Sequence, residues 1–366
     1  MATRRQVLFG AAAGLLAPSV LGASNSRRFL FVFANGGWDP TVVFAPEFAN
    51  PNVDMPEASV TATVGGLSFV DSGNRPSVRR FFEGHAANTA ILNGLEVRSV
   101  AHERCRRLIL TGTSSGAADD WPAILAHSAG EELLMPHVVA SGPSFTSAFS
   151  SEVVRVGSGS QLPDLLDHPA DDATEAWLLE RARGREGPLA RAYEAALTDA
   201  RATAKLGLQF GEGDLLLNRV DTLLDAFARG SSRCAMVRHD GLWDQTFDSH
   251  AANFMQSEHF ELLFSDLDGI ADRIAARGLQ DEVCVVVFSE MGRHPQLNNE
   301  GGKHHWTATS AMLFGAGVQG GRVVGGFTDE MTGRYRSADL GATLLALGDV
   351  DPGAWTDGEV ISELLG

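Results

Sequence analysis

Continuous runs of apolar residues, rich in β-branched and aromatic side chains, recur along this chain and predict strands that are buried on both faces. The two clearest are residues 29–34 and residues 285–288, and each ends abruptly in polar residues and glycine. Shorter runs of the same kind predict four further strands, at residues 89–92, 136–140, 234–237 and 310–314.

Apolar residues spaced three and four apart predict helices between these strands. The longest helix ends at Gly278 and carries a core-facing stripe made of Phe260, Leu263, Leu267, Ile270 and Ile274. Other helices are predicted at residues 78–82, 102–110, 120–129 and 337–347, whereas residues 41–74 have the prolines and glycines of a loop. Because strands and helices alternate, we expect an α/β fold with a mostly parallel central sheet and helices on both faces.

The middle of the chain, residues 141–230, has a different composition. It is rich in Ala, Leu, Glu, Asp and Arg, and helical periodicity marks residues 175–183, 189–205 and 214–228. Few side chains there have the close spacing of metal ligands. We therefore expect a helical insertion or cap within one domain that spans residues 24–366.

Composition excludes several classes of protein. The chain has 366 residues, of which 44% are hydrophobic and 20% are charged, as in ordinary globular proteins. Its formal net charge of −17 argues against a nucleic-acid partner, because cations that meet phosphates dominate such binding. Cys105, Cys234 and Cys284 have no CxxC spacing, so we expect buried free thiols and neither a disulfide framework nor a redox centre.

The N-terminus has the pattern of an export signal. Arg4 and Arg5 form a twin-arginine pair, and residues 9–21 are apolar or small but too few to span a membrane comfortably. Small residues near Gly22 and Ala23 suit cleavage, so residues 1–23 are predicted to be a twin-arginine signal peptide. We expect the Tat export machinery as a partner, a periplasmic or secreted protein, and no transmembrane segment after signal removal.

Polar and ionisable residues follow successive predicted strands. In a parallel sheet the loops after the strands converge on one edge, where ligands bind. Carboxylates with imidazoles make a mixed oxygen and nitrogen site that suits Zn²⁺ or Mn²⁺ better than Ca²⁺ or Mg²⁺. The candidate metal ligands are Asn35, Asp39, Asp248, His250, Glu290, His304 and His305, and His102 and Arg293 are further candidates for the site at this edge.

Several of these residues have a second interpretation. Asp39 precedes a proline and is also suited to cap a turn. Asp248 is the natural cap of the long helix, which leaves the imidazole of His250 free. Arg293 either pairs with Glu290 or holds an anion, since guanidinium matches phosphate and sulfate in a bidentate manner. One of His304 and His305 is expected to be structural, and His127 and His137 to be packing or surface residues.

An ordered set of motifs resembles an uncharacterised exported family, domain of unknown function 1501. The motifs are Phe33-Ala34-Asn35-Gly36-Gly37-Trp38-Asp39, Phe247-Asp248-Ser249-His250, Phe288-Ser289-Glu290-Met291-Gly292-Arg293, Gly301-Gly302-Lys303-His304-His305-Trp306 and Gly320-Gly321-Arg322-Val323-Val324-Gly325. With the twin-arginine leader they extend over nearly the whole chain. This family resembles a branch of the alkaline-phosphatase-like superfamily, which includes sulfatases and cofactor-independent phosphoglycerate mutases.

The resemblance implies roles for particular residues. Glu290 stands where the superfamily has a metal-binding Asp at the end of a late strand, and His305 or His304 resembles its last metal-binding histidine. Asp248 and His250 resemble the Asp and His ligands ahead of the long helix. The ligand after the first strand corresponds to Asn35 or Asp39.

Two positions depart from the superfamily pattern. The nucleophile of the sulfatases corresponds to His102, nine residues before Thr111, where no Ser, Thr or Cys stands. His102 is then itself a nucleophile or a metal ligand, or a hydroxyl such as that of Ser114 attacks, or water attacks directly. His304 replaces the usual Asp before the histidine, which affects the identity of the metal.

The resemblance implies an exported, metal-dependent hydrolase of phosphate or sulfate esters, acting on a small-molecule or polymer substrate. The alternative is a catalytically inactive protein of the same fold that binds or supports a component of the cell envelope. The missing nucleophile favours the alternative, whereas the ionisable residues beyond the strand ends favour the hydrolase.

Overall fold

The structure, a computed structural model, describes residues 27–129, 133–156, 172–184, 216–242 and 245–366, with the isolated residues 187, 194, 198, 202, 203 and 208. Its strands are β1 (Arg28–Ala34), β2 (Ser59–Val64), β3 (Leu67–Ser72), β4 (Thr89–Glu96), β5 (His137–Val139), β6 (Val153–Arg155), β7 (Cys234–His239), β8 (Val283–Ser289), β9 (Gly292–Arg293), β10 (His305–Trp306), β11 (Ala308–Gly315), β12 (Arg322–Gly325) and β13 (Tyr335–Arg336). Its α-helices are α1 (Pro40–Val43), α2 (Pro76–His85), α3 (His102–Thr111), α4 (Trp121–His127), α5 (Asp172–Arg183), α6 (Leu216–Ala228), α7 (Met255–Ala276) and α8 (Ser337–Leu347).

Nine of these strands form the central sheet, in the order β12-β4-β11-β8-β1-β7-β5-β6, with β13 also paired to β4. The pairings of β1 with β7 and β8 are parallel, and so are those of β5 with β6 and β7. Only β11, among the described strands of this sheet, runs antiparallel to its neighbours β4 and β8. The predicted mostly parallel sheet is confirmed.

Both faces of the sheet are covered, which explains the continuous apolar runs in its central strands. Along β1 the side chains alternate, because successive residues of a strand point to opposite faces. Leu30 and Val32 belong to the core that contains residues of α2, α6 and α7, whereas Phe29 and Phe31 belong to the core that contains residues of α3, α4 and α8. The fold is therefore the predicted α/β architecture with helices on both faces.

The segment predicted to be a loop contains a β-hairpin. Strands β2 and β3 pair in antiparallel fashion, with Val64 opposite Leu67. Gly65 and Gly66 form the two-residue turn with φ of 54° and 91°, a backbone region that favours glycine. The Gly-Gly dipeptide between residues of strand type was the signal for this hairpin, so the prediction of a structureless loop was wrong.

The segment predicted to be an insertion is partly described. Helices α5 and α6 lie where helical periodicity occurs, and residues of α6 join one of the two cores. Strand β6 is the last strand at one edge of the central sheet, a role that the helical pattern did not predict. The helix predicted at residues 189–205 lies largely outside the described residues, and an insertion or cap stays a prediction.

Cys105, Cys234 and Cys284 are free and buried, as predicted. Among the described residues, no helix is long and apolar enough to cross a membrane.

Candidate functional site

The register of the two central strands places the first component of the site. Ala34 of β1 lies beside Ser289 of β8, so the residues that follow these strands are neighbours at the same edge of the sheet. Backbone N–H groups of Gly36 and Gly37 donate to the fully buried carboxylate of Glu290, at 3.1–3.2 Å. Gly36 has φ of 113°, and a Cβ there would lie 2.6 Å from the backbone nitrogen of Asp248, so only glycine allows this close approach.

His102, the first residue of α3, lies between two carboxylates. Its Nδ1 is 2.9 Å from Oε1 of Glu290, and its Nε2 is 3.3 Å from Oδ2 of Asp248. Hydrogen bonds with Asp248 and then with Glu290 raise the pKa of His102 to about 9. The imidazole is thus held as a cation unless another positive charge takes the place of its proton.

His305, the first residue of β10, lies close to the carboxylate of Asp248. The antiparallel pairing of β9 and β10 sets His305 opposite Arg293. Arg293 in turn donates to the carbonyl oxygen of Gly36. Nδ1 of His305 is 2.7 Å from the carbonyl oxygen of Val100, and because a carbonyl oxygen only accepts, this nitrogen carries an N–H and Nε2 is the ring nitrogen that faces the site. Nε2 lies 3.2 Å from Oδ1 of Asp248.

His250 completes the group. Its Nε2 lies 2.9 Å from Nε2 of His305 and 3.3 Å from Oδ1 of Asp248. Burial lowers the pKa of His250; the charge of Asp248 opposes this, but His305 and Arg293 add to the lowering, and the net shift is downward. The segment of His250 is fixed by neighbouring backbone, since Asn298 donates to the His250 carbonyl at 2.8 Å.

Asp248 is the centre of the group. Partial burial by itself raises the pKa of Asp248, but hydrogen bonds from His102, His305 and Arg293 hold this pKa far below its usual range. Nη2 of Arg293 lies 2.6 Å from Oδ1 and fixes the orientation of the carboxylate. Asp248 is therefore ionised and faces three imidazoles.

We call His102, Asp248, His250 and His305 the histidine–aspartate cluster. One donor atom each from His102, Asp248 and His305 lie within 4.8 Å of one another. Two imidazole nitrogens and one carboxylate, with the imidazole of His250 next to them, are a donor set that suits Zn²⁺. His102 and His305 also have the usual second contacts of metal-bound histidines, because the opposite ring nitrogen of each is held by a carboxylate or a carbonyl oxygen. The donor set fits a divalent metal ion.

Two predicted metal ligands have other partners. Oδ2 of Asp39 forms an ion pair with Lys303 at 2.9 Å, and Oδ1 accepts hydrogen bonds from the backbone and hydroxyl of Thr41 at the start of α1. The side chain of Asn35 donates to Asp240 and accepts from Arg106, both at 2.9 Å. These contacts account for Asp39 and Asn35 without a metal ion, and the capping interpretation of Asp39 agrees with them.

Arg293 is almost completely buried and holds protein groups rather than facing open space. Its guanidinium donates to the carbonyl oxygens of Gly36, Gly37 and Lys303, in addition to its contact with Asp248. Four of its five N–H donors are used in these contacts, and the role of Arg293 as an anion clamp stays a prediction. From the sequence we expected Glu290 as the ion-pair partner of Arg293, whereas in the structure that partner is Asp248.

Glu290 and His304 are not members of the cluster, but each contacts one of its histidines. Besides its bonds to the glycine loop, Glu290 accepts from the Ser289 hydroxyl at 3.1 Å, so its contact with the cluster is through His102. His304 is exposed, with Nδ1 3.4 Å from Nδ1 of His250. The expectation that only one histidine of this pair is central agrees with the position of His305.

Sequence reasoning missed three contributors to the site. Arg106 has its Nε 3.6 Å from Oε1 of Glu290, one helical turn after His102. Val100 provides a carbonyl oxygen, which no side-chain pattern can indicate. Lys303 balances the charge of Asp39, and its position between paired glycines and paired histidines was the available signal.

Comparisons with known proteins agree with this architecture. The family model "Protein of unknown function (DUF1501)" matches residues 219–359. No curated protein is a significant sequence match to the chain. Among solved structures, murine ectonucleotide pyrophosphatase/phosphodiesterase 5 is 9% identical, with 93% of this chain and 100% of that chain covered and a TM-score of 0.50.

Two further structures are similar at lower scores. Phosphonate monoester hydrolase from Silicibacter pomeroyi is 11% identical, with 93% and 76% of the two chains covered and a TM-score of 0.45. A protein in the alkaline phosphatase superfamily from Vibrio parahaemolyticus is 11% identical, with 93% and 71% covered and a TM-score of 0.44. The family model supports the resemblance to domain of unknown function 1501 over residues 219–359, and the similarity to the murine protein shows that the two chains share a fold.

Proposed function

We propose that this protein is an exported, metal-dependent hydrolase of phosphate or sulfate esters. One observation carries the proposal. His102 and His305 are each anchored through Nδ1, and both direct Nε2 at the carboxylate of Asp248. Ordinary packing has no need for imidazoles converging on one ionised carboxylate, whereas a metal site does.

In this proposal the cluster holds the metal ion, and the surrounding residues position the cluster. A divalent cation supplies Lewis acidity toward an ester oxygen or a water molecule. Glu290 orients His102, the Val100 carbonyl orients His305, and Arg293 orients Asp248. Zinc is the proposed ion, with manganese as the next choice, because nitrogen donors outnumber oxygen donors.

Water is the proposed nucleophile. In this proposal Nε2 of His102 is used to hold the metal ion and Nδ1 is held by Glu290, so neither nitrogen is available to attack an ester. Cys105, one turn along α3, is buried, and burial raises the pKa of its thiol to about 11. The remaining sequence candidate, Ser114, stays a prediction.

The substrate class and the location are proposals of the same kind. The murine protein of similar fold is named a pyrophosphatase and phosphodiesterase, which supports a phosphate ester as substrate. The twin-arginine pattern at Arg4 and Arg5 supports export to the periplasm or beyond.

A second function remains in competition, and a specific observation favours it. In the described part of the chain, no Ser, Thr or Cys side chain hydrogen-bonds to a side chain of the histidine–aspartate cluster. A protein that kept the fold and the metal but lost its nucleophile would bind an envelope component without turnover.

The test combines metal content with turnover. We expect the purified full chain to contain a stoichiometric divalent metal by mass spectrometry and to hydrolyse at least one member of a panel of phosphate monoesters, phosphodiesters and sulfate esters. His305→Ala should lower both, whereas His127→Ala, an exposed histidine at the end of α4, should change neither. A metal-loaded protein that turns over no member of the panel supports the binding protein instead, and a protein without metal contradicts both forms of the proposal.

A further inference from the structure

A cleft of about 240 Å³ lies beside the histidine–aspartate cluster and is distinct from it. Its walls come from the ends of β1 and β7, from α3, and from the segments before and within β6. The charged side chains that line it are those of Arg106, Arg155, Arg238 and Glu103. We call it the arginine cleft.

The convergence of three guanidinium groups is unusual for this chain, because its formal net charge is −17. Arg155 is exposed and, among the described residues, has no carboxylate within ion-pair distance; its Nη2 is 3.5 Å from the Ser144 carbonyl oxygen. Nε of Arg106 is buried and has no hydrogen-bond partner in the described part of the chain. The cleft therefore contains, in Arg155, a guanidinium without a carboxylate partner among the described residues, whereas Nε of Arg106 faces the carboxylate of Glu290 at 3.6 Å.

The other donors are partly balanced. Arg238 forms an ion pair with Asp240 at 2.7 Å, and Arg106 pairs with the exposed carboxylate of Glu103. Each guanidinium has five N–H donors, so the one ion pair of Arg238 leaves others available for a ligand. Arg106 has fewer to offer, because it also donates to Asn35. Fixed guanidinium groups match the geometry of phosphate, sulfate and carboxylate.

The cleft is connected to the cluster through one carboxylate oxygen. Oε1 of Glu290 is 2.9 Å from Nδ1 of His102 and 3.6 Å from Nε of Arg106. The cleft and the cluster are therefore adjacent, on either side of the buried carboxylate of Glu290. Phe33 and Phe145 add apolar walls on which the part of a ligand between two charged groups could pack.

We propose that the arginine cleft binds a second anionic group of the substrate, so that the substrate is an ester with two separated negative charges. This inference rests on the proposed function for its catalytic part. It also gives a role to the segment around residues 142–155, which brings Arg155 and Phe145 to the site from the part of the chain predicted to be an insertion.

The first experiment measures binding alone. Inorganic phosphate is titrated by calorimetry into the chelator-treated full chain, so that the metal site does not contribute. We expect Arg155→Gln and Arg238→Gln each to weaken binding by about tenfold or more, the effect of a lost charge-assisted hydrogen bond. Arg80→Gln, an exposed and paired arginine on α2, should bind as the wild type does. No binding, or equal binding in all variants, would overturn the cleft as an anion site.

The second experiment tests whether the anion is part of the substrate. The metal-loaded protein is assayed with phenyl phosphate and with carboxyphenyl phosphate, which carries a second charge. We expect Arg155→Gln to raise KM about tenfold for carboxyphenyl phosphate, to leave KM for phenyl phosphate unchanged, and to alter kcat little. Equal effects on both substrates would mean that the cleft holds a free ion, and would overturn the inference. If neither ester is hydrolysed, aryl phosphate monoesters are excluded as substrates and the full panel decides the proposed function, whereas the binding experiment still decides the cleft.

Discussion

The buried ion pair between Asp39 and Lys303 allows a direct test of whether Asp39 is structural or a metal ligand. Oδ2 of Asp39 and Nζ of Lys303 are 2.9 Å apart, and both side chains are fully buried. Removing one partner of a buried pair typically costs about 3–5 kcal/mol, because the other charge is left uncompensated in a medium of low polarity.

We expect Lys303→Met to lower the free energy of unfolding by about 3–5 kcal/mol. Methionine fills a similar space without a charge. Lys303 also donates to the Thr41 hydroxyl at 3.2 Å and to the Asp54 carbonyl at 3.0 Å, and the loss of these donors adds to the cost. The double variant with Asp39→Asn removes both charges and should recover part of the stability.

The assay is urea unfolding followed by circular dichroism, with metal content measured on the folded protein. Arg80→Met is the control, because its ion pair with Asp268 is exposed and worth about 1 kcal/mol or less. Asp39→Asn should lower stability and leave metal content unchanged. If Asp39→Asn instead lost its metal and kept the wild-type free energy of unfolding, the structural role of Asp39 would be refuted.

Three further predictions address the site, the core and the leader. Glu290→Gln should weaken zinc binding about 10–100-fold in a chelator competition, because Glu290 accepts the hydrogen bond that orients His102; an unchanged affinity would contradict this role. Burial lowers the pKa of His137 on β5 to about 4, below the ordinary value of about 6.5. As the pH falls, this imidazole is protonated in the unfolded chain before it is protonated in the folded chain. The free energy of unfolding should therefore fall by about 3 kcal/mol from pH 6.5 to pH 4. His137→Leu should flatten that part of the stability curve measured by urea unfolding, and an unchanged slope would exclude His137 as its cause. Replacing Arg4 and Arg5 by Lys should retain the protein in the cytoplasm on cell fractionation, whereas continued export would argue against the twin-arginine route.

Much of the fold could be predicted from the sequence, because buried strands and amphipathic helices have local signals. The apolar runs of β1 and β8 and the stripe of α7 are local in this sense, and each was placed within a few residues of its position. Strand β6 could not be found in the same way. It has three residues within a helix-rich segment, and its pairing with β5 is a contact between distant parts of the chain.

The four residues of the histidine–aspartate cluster were among the candidates from the sequence, but their arrangement was not predictable. The loops that carry His102, Asp248 and Glu290 could be identified because each follows a predicted strand, and the ends of parallel strands lie at one edge of the sheet. The direction of each side chain depended on partners that no spacing indicates. Arg293 turns inward to the carbonyls of the Gly36 loop, and His305 takes its orientation from the carbonyl of Val100.

The pairing of β1 also has a consequence for how the chain is made. Phe29 of β1 lies beside Cys234 of β7 on one side and Cys284 of β8 on the other. During synthesis, the first strand therefore leaves the ribosome long before either neighbour exists, and closing such long loops is slow. Until then its unpaired apolar edges are prone to aggregation. A chain of this topology benefits from completing its sheet before it is transported across a membrane. Twin-arginine export, which transports proteins that have already folded, has this order of events.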